Sequence, residues 1–87
     1  MKTLLKDGKY IRAIELPRFP GRTTLRYKVE SHYDGSQLGE IAWYGAWRGY
    51  AFFPNDSCIF ESKCLGTICE WIDALNQAHK QQKGEGV

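Results

Sequence analysis

Five side chains in the sequence are of types that could ligate a metal ion or act as a nucleophile or base: Cys58, Cys64, Cys69, His32 and His79. The gaps of five and four residues between the cysteines match no common zinc-ligand spacing. Neither histidine has a carboxylate or cysteine in a pattern typical of a catalytic pair. We therefore expect reduced thiols, no catalytic residue, no metal, no cofactor and a non-enzymatic protein.

The composition is that of an ordinary globular chain. Of the 87 residues, 43% are hydrophobic and 25% are charged. No apolar run approaches the roughly 20 residues needed to cross a bilayer, and the first residues do not resemble a signal peptide. These features predict a cytoplasmic protein with no membrane partner.

The net charge of +2 conceals an uneven distribution. Residues 1–28 carry eight Lys and Arg against two acidic residues, a net +6, whereas residues 29–87 carry four against eight, a net −4. A basic third on an acidic body attracts polyanions or acidic protein surfaces. The predicted polyanion-binding residues are Lys9, Arg12, Arg18 and Arg22. The alternative interpretation is a solvated basic strand pair that only keeps the chain soluble.

Strand patterns occupy the first two thirds of the chain. Residues 10–16 and 24–31 read as strands, with Leu25, Tyr27 and Val29 alternating against polar neighbours. A loop rich in Pro and Gly at 17–22 separates them. Residues 38–54 hold two aromatic runs around Gly45-Ala46, the composition of a β-hairpin. A turn at Asp7-Gly8 would let residues 3–6 pair with the strand that follows.

After residue 62 the apolar residues recur about every 3.6 positions, the period of an α-helix. Leu65, Ile68, Ile72 and Leu75 form one apolar stripe, which predicts a helix from 62 or 63 to about 79. Ser62 is the expected N-cap, and a capping-box pattern offers a later start at Thr67.

The elements together predict an α+β fold. It is a four-stranded antiparallel meander, with a short fifth strand as an option at 58–60, and one C-terminal helix packed on one face. Residues 1–80 form the single domain, and residues 81–87 a flexible tail.

A two-residue turn at Gly45-Ala46 would pair Tyr44 with Trp47 and would place Arg48 at the rim of the core. The bulkier face of the hairpin, with Ile41 and Trp43, is assigned to the helix side. The opposite face is left open. The predicted partner-binding residues are Arg26, Lys28, Tyr44, Trp47 and Arg48.

Two alternatives bear on that assignment. Tyr44 and Trp47 could be a cross-strand aromatic pair that only holds the hairpin end together. A three-residue loop would move Arg48, Tyr50 and Phe52 to the open face. If Trp47 belongs to a binding site, we expect its side chain to be substantially exposed in the monomer.

The hairpin and helix resemble a family of small proteins from phages and bacterial mobile elements. That family carries Leu-Gly-x-Ile-x-Trp-Tyr-x-x-Trp-Arg-x-Tyr-x-Phe-x-Pro, then Cys-Leu-x-x-Ile and a helix ending near Leu-Asn. The matching residues are Leu38, Gly39, Ile41, Trp43, Tyr44, Trp47, Arg48, Tyr50, Phe52, Pro54, Cys64, Leu65, Ile68, Leu75 and Asn76. The likeness covers residues 22–76. It implies a mobile-element accessory protein and identifies no catalytic residue.

The function expected from these features is binding of a host or partner protein through the open sheet face. The alternative is a sheet-based nucleic-acid-binding protein that uses the basic N-terminal third. The chain is expected to act as a monomer or a homodimer.

Overall fold

The computed structural model describes Leu5, residues 7–56 and residues 58–82. Four strands precede one helix: β1 (Ile11–Leu16), β2 (Arg26–Ser31), β3 (Gln37–Tyr44), β4 (Gly49–Pro54) and α1 (Ser62–Gln82). The strands form one antiparallel sheet in the order β1-β2-β3-β4. The predicted α+β meander with a C-terminal helix is therefore confirmed.

One face of the sheet carries the core because apolar side chains alternate along the strands. Tyr27 and Val29 of β2 are buried, and Ile41 of the neighbouring β3 is opposite Tyr27. The buried core consists of Leu5, Ile11, Ala13, Tyr27, Val29, Ile41, Tyr50, Ile68, Trp71 and Leu75. Gly39 is opposite Pro54, and an added Cβ there would lie only 2.6 Å from the Phe52 ring and the Phe53 carbonyl oxygen.

The predicted register of the β3–β4 hairpin is wrong by two residues. Tyr44 pairs with Gly49 rather than with Trp47, and residues 45–48 form a four-residue loop. Arg48 therefore lies exposed in the loop, not at the core rim, and has a left-handed φ of 54°. Because strand side chains alternate with a period of two, the shift leaves the faces of Ile41 and Trp43 unchanged.

The helix begins at Ser62, the earlier of the two predicted starts. The N-cap is Glu61 and not Ser62: the Glu61 carboxylate accepts the Lys63 N–H, and the Glu61 carbonyl accepts the Leu65 N–H. Thr67 lies inside the helix, where its hydroxyl donates to the Lys63 carbonyl. The capping box predicted at Thr67 is therefore wrong.

The apolar stripe of α1 is centred on Ile68, Trp71 and Leu75, all buried. Leu65, predicted to join this stripe, is half exposed, and Ile72 is only partly buried. Trp71 is central because it follows Ile68 by three positions and precedes Leu75 by four, so that all three share a face.

Two predicted strands need separate comment. Residues 58–60 do not form a fifth strand; Phe60 instead packs edge-on against Phe52 of β4, with ring centroids 5.3 Å apart. The optional strand at 3–6 falls almost entirely outside the described residues. The helix continues to Gln82, beyond its expected end near His79, and the rest of the predicted tail, residues 83–87, also lies outside the described residues.

Within the described part of the chain, no helix has both the length and the apolar character needed to cross a membrane.

We predict that Ile68→Ala lowers the free energy of unfolding by about 2–5 kcal/mol, because it leaves a cavity between α1 and the sheet. Ile68 is 4% exposed. Leu65→Ala is the matched control on the same helix, since Leu65 is 50% exposed and should change stability much less. Urea unfolding followed by circular dichroism measures both variants. Equal midpoints for Ile68→Ala and the parent would contradict the packing described above.

Candidate functional site

The face of the sheet away from α1 is called the open face. It carries two distinct groups of side chains. An ion-pair ladder of Arg12, Arg26, Lys28, Glu30 and Glu40 lies across β1, β2 and β3. At the β3–β4 end, Tyr44, Trp47 and Phe53 form an aromatic cluster.

The ion-pair ladder is built by strand register. Arg12 is directly opposite Glu30, and its Nε and Nη2 lie 3.0 and 2.9 Å from Glu30 Oε1. The other carboxylate oxygen of Glu30 lies 2.9 Å from Lys28 Nζ. Glu30 is 8% exposed, although it faces away from the helix. Two cations therefore neutralise one nearly buried carboxylate.

Arg26 is held by three partners. Its Nε donates to Glu40 Oε2 at 2.9 Å, and its Nη1 donates to the Pro17 carbonyl at 3.0 Å. Its guanidinium also lies 4.2 Å from the centre of the Phe19 ring. Arg26 and Lys28 do project from the open face, as the alternation predicts, but both are half-buried and paired rather than free. Arg26 thus ties the β1–β2 loop to the sheet.

The ion pairs alter the acidity of Glu30. Hydrogen bonds from Lys28 and then Arg12 hold the pKa of its carboxyl below the ordinary value of 4.5. The charged form of Glu30 is therefore the form that the folded chain stabilises.

The aromatic cluster lies where the hairpin turns. Tyr44 contacts Trp47 edge-to-face, with centroids 4.9 Å apart, and meets Phe53 at 6.1 Å. Trp47 is 77% exposed, so the expected exposure of this side chain is confirmed. It is exposed because it belongs to the loop, not because it lies on a strand. The Tyr44–Trp47 contact also has the edge-to-face geometry of a stabilising aromatic pair.

The loop around Trp47 is ordered by its own hydrogen bonds. The Trp47 N–H donates to the Tyr44 carbonyl at 3.2 Å, and the Arg48 N–H donates to the Gly45 carbonyl at 3.1 Å. Gly49, which is opposite Tyr44 in the hairpin, lies close to α1: a Cβ added there would lie 3.3 Å from Asn76 Oδ1.

The structure divides the predicted site residues between the two ends of the sheet. Because the strands are antiparallel neighbours, the β1–β2 loop with Arg18 and Arg22 lies at the same end as Trp47 and Arg48. We call this end the loop end. Lys9 lies at the other end, 5.5 Å from the centre of the Tyr10 ring. The four predicted polyanion-binding residues therefore do not form one surface.

The residues capable of chemistry remain apart. Cys58, Cys64 and Cys69 are free thiols. Nowhere in the described ranges do three or more His, Cys, Asp or Glu side chains come together in a way that could hold a metal ion. His32 contacts the Gly8 carbonyl at 3.1 Å, and His79 stacks on Trp43 with ring centroids 4.5 Å apart.

The predicted partner-binding residues left out two residues of the open face, Phe53 and Ile14. Both are exposed apolar residues, Phe53 beside Tyr44 and Ile14 opposite Lys28. The pairing of Phe53 with Glu40 depends on the register of the hairpin. Because side chains of a strand alternate between its faces, Phe52 and Phe53 must lie on opposite faces of the sheet. That alternation was the signal in the sequence that one of the two rings is on the open face.

The geometry of the described residues is that of a small α+β protein whose sheet has a helix packed on one face and no described element on the other. The chain is 30% identical over 77 residues to an uncharacterized 9.3 kDa protein of Acholeplasma phage L2, a match that spans 88% of this chain and 97% of the phage protein. The chain therefore belongs to the family of this small phage protein. No protein-family model and no solved structure matches it.

We predict that Glu30→Gln flattens the dependence of stability on pH in the acidic range. Since the folded-state pKa of Glu30 lies below its ordinary 4.5, the stabilisation is complete above about pH 4.5 and is lost as the pH falls through the folded value. Thermal unfolding between pH 7 and pH 3 measures the effect. The parent should lose more stability across this range than Glu30→Gln.

Glu70→Gln is the matched control, because Glu70 is an exposed carboxylate on α1. Its curve should run parallel to that of the parent. The pKa of Asp34, lowered by the Ser36 N–H, contributes equally to all three proteins. Parallel curves for Glu30→Gln and the parent would contradict the role given to the ladder.

Proposed function

We propose that the chain is a non-enzymatic phage accessory protein that binds a partner protein through the aromatic cluster at the loop end of its open face. The observation that carries this function is Trp47, which is 77% exposed in a loop closed by its own hydrogen bonds. Trp, Tyr and Arg are the residues most enriched at the energetic centres of protein interfaces. Here Trp47 adjoins Tyr44 in space and Arg48 in sequence.

The charges on the open face favour a protein over a polyanion. Arg12, Arg26 and Lys28 are each paired with Glu30 or Glu40. A phosphate backbone would have to displace these carboxylates, and that competition lowers the gain from each contact. A partner protein can instead cover the aromatic cluster and leave the ladder intact.

Nucleic-acid binding is the second candidate. Arg18, Arg22 and Arg48 are exposed at the loop end, and their guanidinium groups make no hydrogen bond or ion pair with any described residue. Exposed aromatic rings beside arginines also suit the stacking of unpaired bases. Titration against mixed-sequence single-stranded DNA and RNA at low and high salt separates the two candidates. Steep loss of binding with salt would support the second.

A photo-crosslinking side chain placed at position 47 tests the first candidate in phage-infected host cells. Position 33 is the matched control, because Tyr33 is 93% exposed but lies in the loop at the opposite end of the sheet. We expect a discrete, nuclease-resistant protein adduct from position 47 and none from position 33. An adduct with the mass of two chains would replace this function with homodimerisation, and a nuclease-sensitive adduct would favour nucleic acid. Equal labelling from positions 47 and 33 would contradict the proposed function.

We predict that Trp47→Ala weakens binding of the crosslinked partner by about 2 kcal/mol or more, as truncation of a central interface Trp does. Its thermal midpoint should stay close to that of the parent, since the Trp47 side chain lies outside the core. Tyr33→Ala is the control variant and should change neither quantity. A large loss of stability with unchanged affinity would assign Trp47 to holding the hairpin end together.

A further inference from the structure

A cavity of about 230 Å³ lies on the helix side of the sheet, at the loop end. It is enclosed by the β1–β2 loop, the start of β4 and the C-terminal half of α1. Its apolar wall includes Leu25 and Leu75. Its polar lining residues are Arg18, which is also exposed to solvent, Thr23, Tyr50 and His79. This cavity lies on the face opposite the ion-pair ladder and is separate from it.

The polar groups in this cavity are donors without acceptors. The Tyr50 hydroxyl accepts the Leu25 N–H at 3.1 Å, and its own proton is donated to no described residue. The His79 ring stacks on Trp43, and its nitrogens make no hydrogen bond with any described residue. Arg18 is likewise unpaired with any described side chain or backbone atom. None of the described residues that line the cavity is Asp or Glu.

We propose that this cavity binds a carboxylate carried on a small apolar body. A guanidinium fork matches the two oxygens of a carboxylate, and the hydroxyl of Tyr50 and a ring N–H of His79 are the further donors. The wall of Leu25 and Leu75 accommodates the apolar part. At about 230 Å³ the cavity is smaller than the pockets that hold drug-sized ligands, so it suits a small acid.

Benzoate is the probe, and benzamide is its neutral counterpart of the same shape. Titration followed by NMR should shift the Leu25 amide, which reports on the Tyr50 hydroxyl, and the ring protons of His79. Arg18→Gln should weaken benzoate binding by about tenfold or more, because the charged fork is lost. Arg22→Gln is the matched control from the same loop: Arg22 is exposed, does not line the cavity and should change the affinity less than about twofold.

Benzamide should bind at least about tenfold more weakly than benzoate. Shifts absent from Leu25 and His79, or equal weakening by Arg18→Gln and Arg22→Gln, would overturn the assignment. A short peptide ending in Phe, as the free acid and as the amide, identifies the source of the carboxylate. Displacement of benzoate by the acid alone points to a chain terminus, and no displacement points to a free small acid. Trp47→Ala should leave benzoate binding unchanged, so this test is independent of the function proposed for the aromatic cluster.

Discussion

The hydrogen bond from the Tyr50 N–H to Asn76 Oδ1, 2.9 Å long, joins the helix to the sheet at the start of β4. The same tyrosine accepts the Leu25 N–H on its hydroxyl and packs edge-on against Trp43, with centroids 5.4 Å apart. One residue thus fixes α1, the β3–β4 hairpin and the entry to β2 relative to one another. The helix packs chiefly against β4, so its position over the sheet depends on this contact. Tyr50 also lines the cavity at the loop end.

A sheet covered by a single helix must present a face that water tolerates. The chain achieves this with cross-strand charges instead of isolated ones. Glu30 is 8% exposed and is paired with both Arg12 and Lys28. Part of the positive charge of the first 28 residues is therefore paired with carboxylates on the open face. Net charge counted along a sequence overstates the charge that a partner meets.

Alternation and periodicity were sufficient to predict the sheet, its two faces and the helix. The faces of the strand residues in β3 and β4 were also predictable, because an error of two residues in register preserves the alternation, whereas Trp47 and Arg48 belong to the loop. The length of the β3–β4 loop was not predictable, since Gly45-Ala46 is a plausible two-residue turn. The observed loop has four residues, and the sequence does not reveal that its last residue, Arg48, has a left-handed φ. The ion pairs require register between strands that are distant in sequence. For that reason, Arg26 was expected to be a free charge and is instead fixed to Glu40, Pro17 and Phe19.

Within one hairpin, the exposed ring of Trp47, which the proposed binding uses, is separate from the rings that form the core. Trp43 and Tyr50 stabilise the helix side, whereas Trp47 contacts only the outer face of the hairpin through Tyr44. A large ring left in solvent gains little of the stabilisation that burial in a core would give. The turn that carries it is nevertheless closed by two backbone hydrogen bonds and anchored at its base by Asn76. Because the loop is ordered before any partner arrives, covering Trp47 costs little conformational entropy, and most of the burial energy remains available for binding.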